Sequence, residues 1–588
     1  MVSSKKEYFL FSTLIYFFSF QESTAFVPSA ITNEDTFPSQ VKLSKARYQS
    51  KRTLSEEKLS YFRLCSTSTP DSVAEILNKH KSDDDNNTNI FLGKRKWLGG
   101  AITTDKTNIY GIPAHAHSVL RIQLSKGMTG IDQDHHSVKL DSIPLPSRFQ
   151  KRRFKWLRGI LVGDYLFGIP SWSSAGVLRV NLNSNYLHKL QQHFIEKKEL
   201  SDDGKIRKAQ EDDRVSVLPL PVSIIDHDKN SKPSMNRWLW HGAVLVNNNK
   251  SEHTQQGDTI RIYCIPANAN RVLKVTSHIS EESFHESKNF ATSYIGPCLS
   301  NQCNKWYGGI LGHDDAVYGI PYSAGSILRI DTKQDSSNCD NTETKDDIVQ
   351  LQGDFGIGKY NWHGGVLSPI NGAIYAFPSH ANTVLKIDTT KNGEWTKLPI
   401  GLAFHDDDHI AAELTEEHSN MLNSKYKWLG GAIGEDGAIY GMPSDCSCIL
   451  RINPHTDECY TFGESILSKL TEEHGYSIRQ LKNKWQGGIL APRDGCIYAI
   501  PSDAECVLKI DTNPSDKNRG IINDDDRISL LNIENDFMSN KKVTDKWQGG
   551  FLAEDGNIYA IPENADRILR VVVGDPKTGD KQSYLELL

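Results

Sequence analysis

The chain has 588 residues, is 38% hydrophobic and carries 43 glycines, enough to bury a large core. Lysine and arginine number 67 against 73 aspartates and glutamates, and the basic residues are spread along the chain, which excludes the electrostatic footprint of a nucleic-acid-binding protein.

At the N-terminus Lys5 and Lys6 precede the apolar run Tyr8–Phe20 and the small residues Ser23, Thr24 and Ala25, the pattern of a signal peptide. The run is too short to cross a bilayer comfortably, so no membrane span is expected in the mature chain. The junction STAFVP, with Phe26 directly after Ala25, resembles the A-F-x-P junction of the two-part presequences of algae with secondary plastids. That resemblance implies a signal peptide over residues 1–25, a transit-like segment and linker over 26–89 with little order of its own, and delivery to the plastid. Secretion is the alternative. Lys42, Lys45, Arg47, Lys51, Arg52 and Lys58 fit a basic transit segment, whereas Glu34, Asp35, Glu56 and Glu57 depart from it.

From residue 90 onward the chain is organised by a repeat, seen most clearly at Lys484–Asp511, KWQGGILAPRDGCIYAIPSDAECVLKID. Anchored on tryptophan, its copies begin at Trp97, Trp156, Trp238, Trp306, Trp362, Trp428, Trp485 and Trp547, a mean period of about 64 residues that suits an elaborated four-strand propeller blade. Within a copy, Gly487-Gly488 opens a short strand, Asp494-Gly495 supplies a tight turn, and Cys496–Ile500 forms a second strand ending at Pro501, a residue that cannot donate to a ladder. Val507–Ile510 reads as a third strand and the weaker segment Ile528–Ile533 as an outer fourth. The expected fold is all-β, a propeller of eight four-stranded blades over residues 90–588, or seven if copy two or three fails to complete a sheet.

The Gly pair is expected to let backbones approach at the propeller axis, and the Trp and the Tyr of the I-Y pair to pack between blades. Every copy holds a basic residue in its third strand: Arg121, Arg179, Lys274, Arg329, Lys386, Arg451, Lys509 and Arg570. A residue common to all blades serves the repeat, so its stem should pack on the blade and its head pair with a neighbouring acid or carbonyl. The W-x-G-G, D-G-x-I-Y-x-I-P and V-L-x-I-D segments resemble kelch-like propeller repeats, in particular those of algal and protist propeller proteins. The resemblance implies the fold and leaves the function open, because propellers host binding scaffolds and enzymes alike.

Function is expected where the repeat is broken. In copy two Arg158 replaces the first glycine, and two additional residues widen the loop after Pro170, placing Trp172 there. Copy three, anchored on Trp238, reads as having an added residue, with Trp240 beside His241 in the first-glycine position. Copy one carries His115 and His117 after Pro113. These six residues, at one sector of a channel mouth, form a candidate ligand site for an anionic or sugar-like molecule, and drift of the early copies is the alternative.

Other features carry less chemistry. Asn183–Leu200 has helical spacing, and 335–347 and 513–527 are polar loops. His405–His409 has metal-compatible residue types, but consecutive residues point in different directions. Cys298 and Cys303, or Cys446 and Cys448, complete no zinc spacing, and Cys448 and Cys506 share one strand position. No cofactor is called for, with a channel calcium or zinc left open. Two functions remain: a non-catalytic binding or scaffold propeller that takes a protein or small-molecule partner at its loop face, as a monomer, or a metal-dependent hydrolase resembling the lactonase propellers. The latter needs acidic and amide side chains on inner strands, where this chain has mostly Gly, Ala, Ile and Leu, while Glu435, Glu554 and Asp314 sit near hairpin turns.

Overall fold

The computed structural model describes residues 91–588 except 126–136, 173–175, 202–203, 222–237, 248–258, 279–289, 333–346, 403–415, 465–466, 469–480, 515–523, 534–542 and 577–581. The presequence, the swollen hairpin of copy three and His405–His409 therefore lie outside the described residues.

Eight antiparallel sheets follow one another along the chain, over residues 97–144, 156–218, 240–295, 306–352, 362–399, 428–462, 485–532 and 547–587. Each has four strands in chain order from the inside outward, and blade six gains a two-residue strand, Gly401–Leu402, parallel to its outer strand Glu458–Phe462. Copies two and three both complete their sheets, so the protein is an eight-bladed β-propeller. The insertion after the third strand of blade two forms the helix Tyr186–Glu196, with Leu190 and Phe194 buried.

The repeat residues explain the ring. Each first strand starts on a tryptophan opposite the proline that ends the second strand, as in Trp97 against Pro113 and Trp485 against Pro501. Each indole Nε1 donates to a carbonyl at the start of the third strand, from Ser118 in blade one to Arg567 in blade eight, at 2.7–3.0 Å. The I-Y tyrosines are buried with them between blades. Hydrophobic clusters each join two consecutive blades, and one of them joins Trp97, Ile109 and Leu120 of blade one to Phe551, Tyr559 and Ile561 of blade eight.

Blade-to-blade attachment also runs through the backbone. The residue before each tryptophan donates its N–H to the residue after the preceding blade's proline, for example Lys155 to Ala114, Lys484 to Ser444 and Lys546 to Ser502. Lys96 makes the same bond to Glu563, 3.0 Å, so blade one meets blade eight as any neighbours meet. Blades one and eight are each built from their own consecutive strands, so closure is by packing and this repeated bond, without an exchanged strand.

One sequence assignment needs correction. In blade three Trp240, not Trp238, stands opposite the strand-ending Pro266 and donates to Arg271 O. Trp238 instead occupies the position two residues before the repeat tryptophan. That position has positive φ, 50–56°, in all eight blades: Arg95, Phe154, Trp238, Asn304, Tyr360, Tyr426, Asn483 and Asp545. Copy three therefore has no added residue at this point.

The third-strand basic residues behave as expected. Arg329, Arg451 and Arg570 each pair with the hairpin acid Asp314, Asp436 or Asp555, to which the blade's buried tyrosine also donates. Arg121, Lys274, Lys386 and Lys509 find Asp141, Asp347, Asp457 and Asp494. Blade two, where Phe167 replaces the tyrosine, differs: Arg179 donates to Ser216 Oγ and lies over Phe290. Seven of the eight charges sit in ion pairs and so form no eight-fold cationic ring.

Candidate functional site

Counting each repeat from its tryptophan as position one, position three is where the inner strands crowd the axis. It is Gly99, Gly242, Gly308, Gly364, Gly430, Gly487 and Gly549 in seven blades, and Arg158 in the eighth. All eight have positive φ, from +64° at Arg158 to +113° at Gly430. A Cβ added to Gly242 would stand 3.9 Å from the Gly308 Cα and 3.6 Å from the Arg158 Cδ, and one on Gly99 would stand 3.3 Å from the Arg158 Cα. Arg158 is thus the one side chain at this waist. It holds a backbone conformation that costs an L-residue about 1–2 kcal/mol.

Position two forms the next ring, toward the Trp–Pro end. Leu98, Leu157 and Leu429 occupy it in three blades, and His241, Tyr307, His363, Gln486 and Gln548 in five. His241 lies flat on Tyr307, whose other close partner is Tyr322, at a centroid distance of 4.3 Å. His363 meets Tyr307 and Tyr322 edge-on at 5.0 and 5.2 Å. Although His241, His363, Gln486 and Gln548 are at most 3% exposed, both nitrogens of each imidazole and the Oε1 of each glutamine lack a hydrogen-bonding partner among the described residues. Buried polar groups are normally paired, at a cost of about 1–3 kcal/mol when they are not.

Charge is distributed unevenly around this chamber. Burial first, and then Arg158, hold both imidazoles low, His363 at about 3, so they are neutral at physiological pH. Burial lowers the Arg158 guanidinium only to about 9, so it remains a cation, and among the described residues no carboxylate pairs with it. Blades seven and eight present acids and amides instead. Asn483 donates to Asp545 Oδ1 at 2.9 Å and Ser502 Oγ at 3.0 Å, and Gln486 donates to Asn483 Oδ1 at 2.7 Å. Burial, then the Asp503 charge, raise the Asp545 carboxyl to about 6. Burial, then Asp545, push Glu563 well up, and its Oε1 is unpartnered.

The six residues singled out in the sequence divide. Arg158 and His241 meet in the channel, where Arg158 depresses the His241 pKa. His115 is half-buried and edge-on to Phe154, 4.4 Å between centroids, and is held at about 4 by burial and by Lys155, Arg153 and Arg95. Trp172 is half-buried near the same Phe154, 6.1 Å away. His117 is exposed. Trp240 is the buried blade-three repeat tryptophan, so it serves the fold, and His241 is at position two rather than in the first-glycine position. Tyr307, His363, Gln486, Gln548 and Glu563 went unread, although aligning position two across the copies would have shown leucine giving way to polar residues.

Among the described residues no three His, Cys, Asp or Glu side chains converge as metal ligands. Asp314 is engaged by Arg329 and Tyr318 at the hairpin end. None of the described cysteines is joined in a disulfide, Cys298 and Cys303 included.

No family model matches this chain, and no curated protein matches it. Among solved structures it is similar to a streptogramin B lyase (10% identity, TM-score 0.37, covering 84% of this chain and 95% of that one). It is also similar to virginiamycin B lyase from Staphylococcus aureus (12%, 0.35, 82% and 95%) and to the periplasmic gluconolactonase of Pseudomonas aeruginosa (10%, 0.34, 62% and 84%).

Proposed function

We propose that this chain is a non-catalytic binding propeller that takes a small anionic, planar molecule in the chamber above the waist. The observation that carries the reading is Arg158: a cation without an acidic partner among the described residues, in left-handed backbone, where seven other blades place glycine. Its guanidinium fork suits a carboxylate, and the His241 and His363 rings suit an aromatic body. Neutral imidazoles with free nitrogens can donate or accept toward the same ligand. The metal-dependent hydrolase requires a convergent donor set that the described residues lack.

The test uses benzoate, which joins one carboxylate to one flat ring. Titration of the folded protein, followed by ligand-observed NMR, should show saturable binding that Arg158→Gly removes. Absence of binding to wild type, or equal binding to the variant, contradicts the reading.

The kelch-like character of the repeat and plastid delivery belong to the same proposal. Residues 1–60 fused to a fluorescent protein should enter the plastid, and Phe26→Ala should leave the fusion in the secretory route; secretion of the unaltered fusion would contradict plastid delivery.

A further inference from the structure

Opposite in character to the Arg158 sector, the inner side of blades seven and eight is rich in acceptors. Gln486, Gln548 and Glu563 each bury an oxygen to which nothing among the described residues donates, and each is at most 3% exposed. The Gln486 amide has a fixed sense: its Nε2 donates to Asn483 Oδ1, whose own Nδ2 donates to Asp545 and Ser502. The free atom is therefore the acceptor oxygen. Two cations bear on Glu563, Arg95 and Lys96, and the Lys96 ammonium is spent on three backbone carbonyls, Gly93 O, Glu563 O and Ala565 O, at 2.7–3.1 Å.

We infer that Gln486, Gln548, Asp545 and Glu563 form a second subsite, which takes an ammonium or guanidinium group of a ligand. Arg95 bears on both carboxyls, with Lys546 on Asp545 and Lys96 on Glu563, but burial and the mutual repulsion of Asp545, Asp503 and Glu563 outweigh them. A neutral hydroxyl would satisfy only the amide oxygens, whereas a cationic N–H donor also offsets that repulsion. Binding of the cation favours the ionised form of Glu563, so the carboxyl's proton passes to solvent as the ammonium enters. The inference rests on the reading of the chamber as a ligand site, and it concerns a different sector from Arg158.

Benzylammonium is the probe, run beside benzoate on the full chain by ligand-observed NMR at neutral pH. Benzylammonium should bind wild type, and Glu563→Gln and Asp545→Asn should each weaken it by about tenfold or more, the loss expected for a hydrogen bond to a charged group. Both variants should keep benzoate binding, which also reports that they are folded. Arg158→Gly should show the reverse pattern. Failure of benzylammonium to bind wild type, or binding unchanged in both carboxyl variants, overturns the inference while leaving the benzoate result to judge the Arg158 site. Loss of benzoate alone overturns the Arg158 reading and leaves the cation subsite standing.

Discussion

The His241 imidazole lies flat on the Tyr307 ring, 4.1 Å between centroids and 3° between planes, with neither of its nitrogens hydrogen-bonded among the described residues. In three other blades the same position is leucine. A fold that needed only packing here has a residue available that packs without leaving polar atoms unpaired. Replacing His241 by leucine should raise the denaturant midpoint, a gain of about 1 kcal/mol from removing unpaired buried nitrogens, and should weaken benzoate binding. A destabilised His241→Leu protein would show that the imidazole supports the fold.

Arg158→Gly restores the residue of the other seven blades at a φ of +64°. Relief of the left-handed backbone should offset the entropic cost of glycine and give a net gain of up to about 1 kcal/mol. Thermal or chemical denaturation checks it. A lower midpoint would mean that the arginine holds the waist together.

Trp240 and His117 make a contrast set by their surroundings. Trp240→Ala removes a buried indole and its bond to Arg271 O, so a loss of about 3–5 kcal/mol is expected. His117 is exposed, and His117→Ala should stay within about 0.5 kcal/mol. Matching midpoints for the two variants would return Trp240 to the ligand site.

Asp545 predicts a pH dependence. Its folded carboxyl, at about 6, stands above the ordinary 3.8, among Asp503, Glu563, Arg95 and Lys546. The folded state therefore binds the proton more tightly than the unfolded state, and stability falls as pH rises between these values. Asp545→Asn keeps an acceptor for Asn483 and tolerates the left-handed backbone, so it should melt with wild type near about pH 4 and above it near about pH 8. An unchanged difference across that range would mean that the carboxyl titrates normally.

The fold was legible because its determinants are local and repeated. A tryptophan, a glycine pair, a turn and a strand-ending proline recur in a fixed order, and each does one job in every blade. The basic residues were legible for the same reason, and their pairing with Asp314, Asp436 and Asp555 is what a shared residue predicts. The site was half legible. Arg158 stood out because it breaks the most restrictive position of the repeat. His363, Gln486 and Gln548 did not, since position two accepts any side chain and its variation looks like drift until neighbouring blades are placed side by side. Blade three was misaligned because Trp238 and Trp240 both offer a tryptophan, and only the Pro266 register and the Arg271 bond separate them. Glu563 follows its proline directly, and nothing in its sequence neighbours announces that it is buried with a free oxygen.

The most direct measurement is a crystal structure of the protein grown with millimolar benzoate. The account predicts density for a flat ligand whose carboxylate meets the Arg158 guanidinium and whose ring lies beside His241 and His363. A chamber holding only ordered water bonded to the His241 and His363 nitrogens and the Gln486 and Gln548 oxygens, with no benzoate density at Arg158, would contradict it.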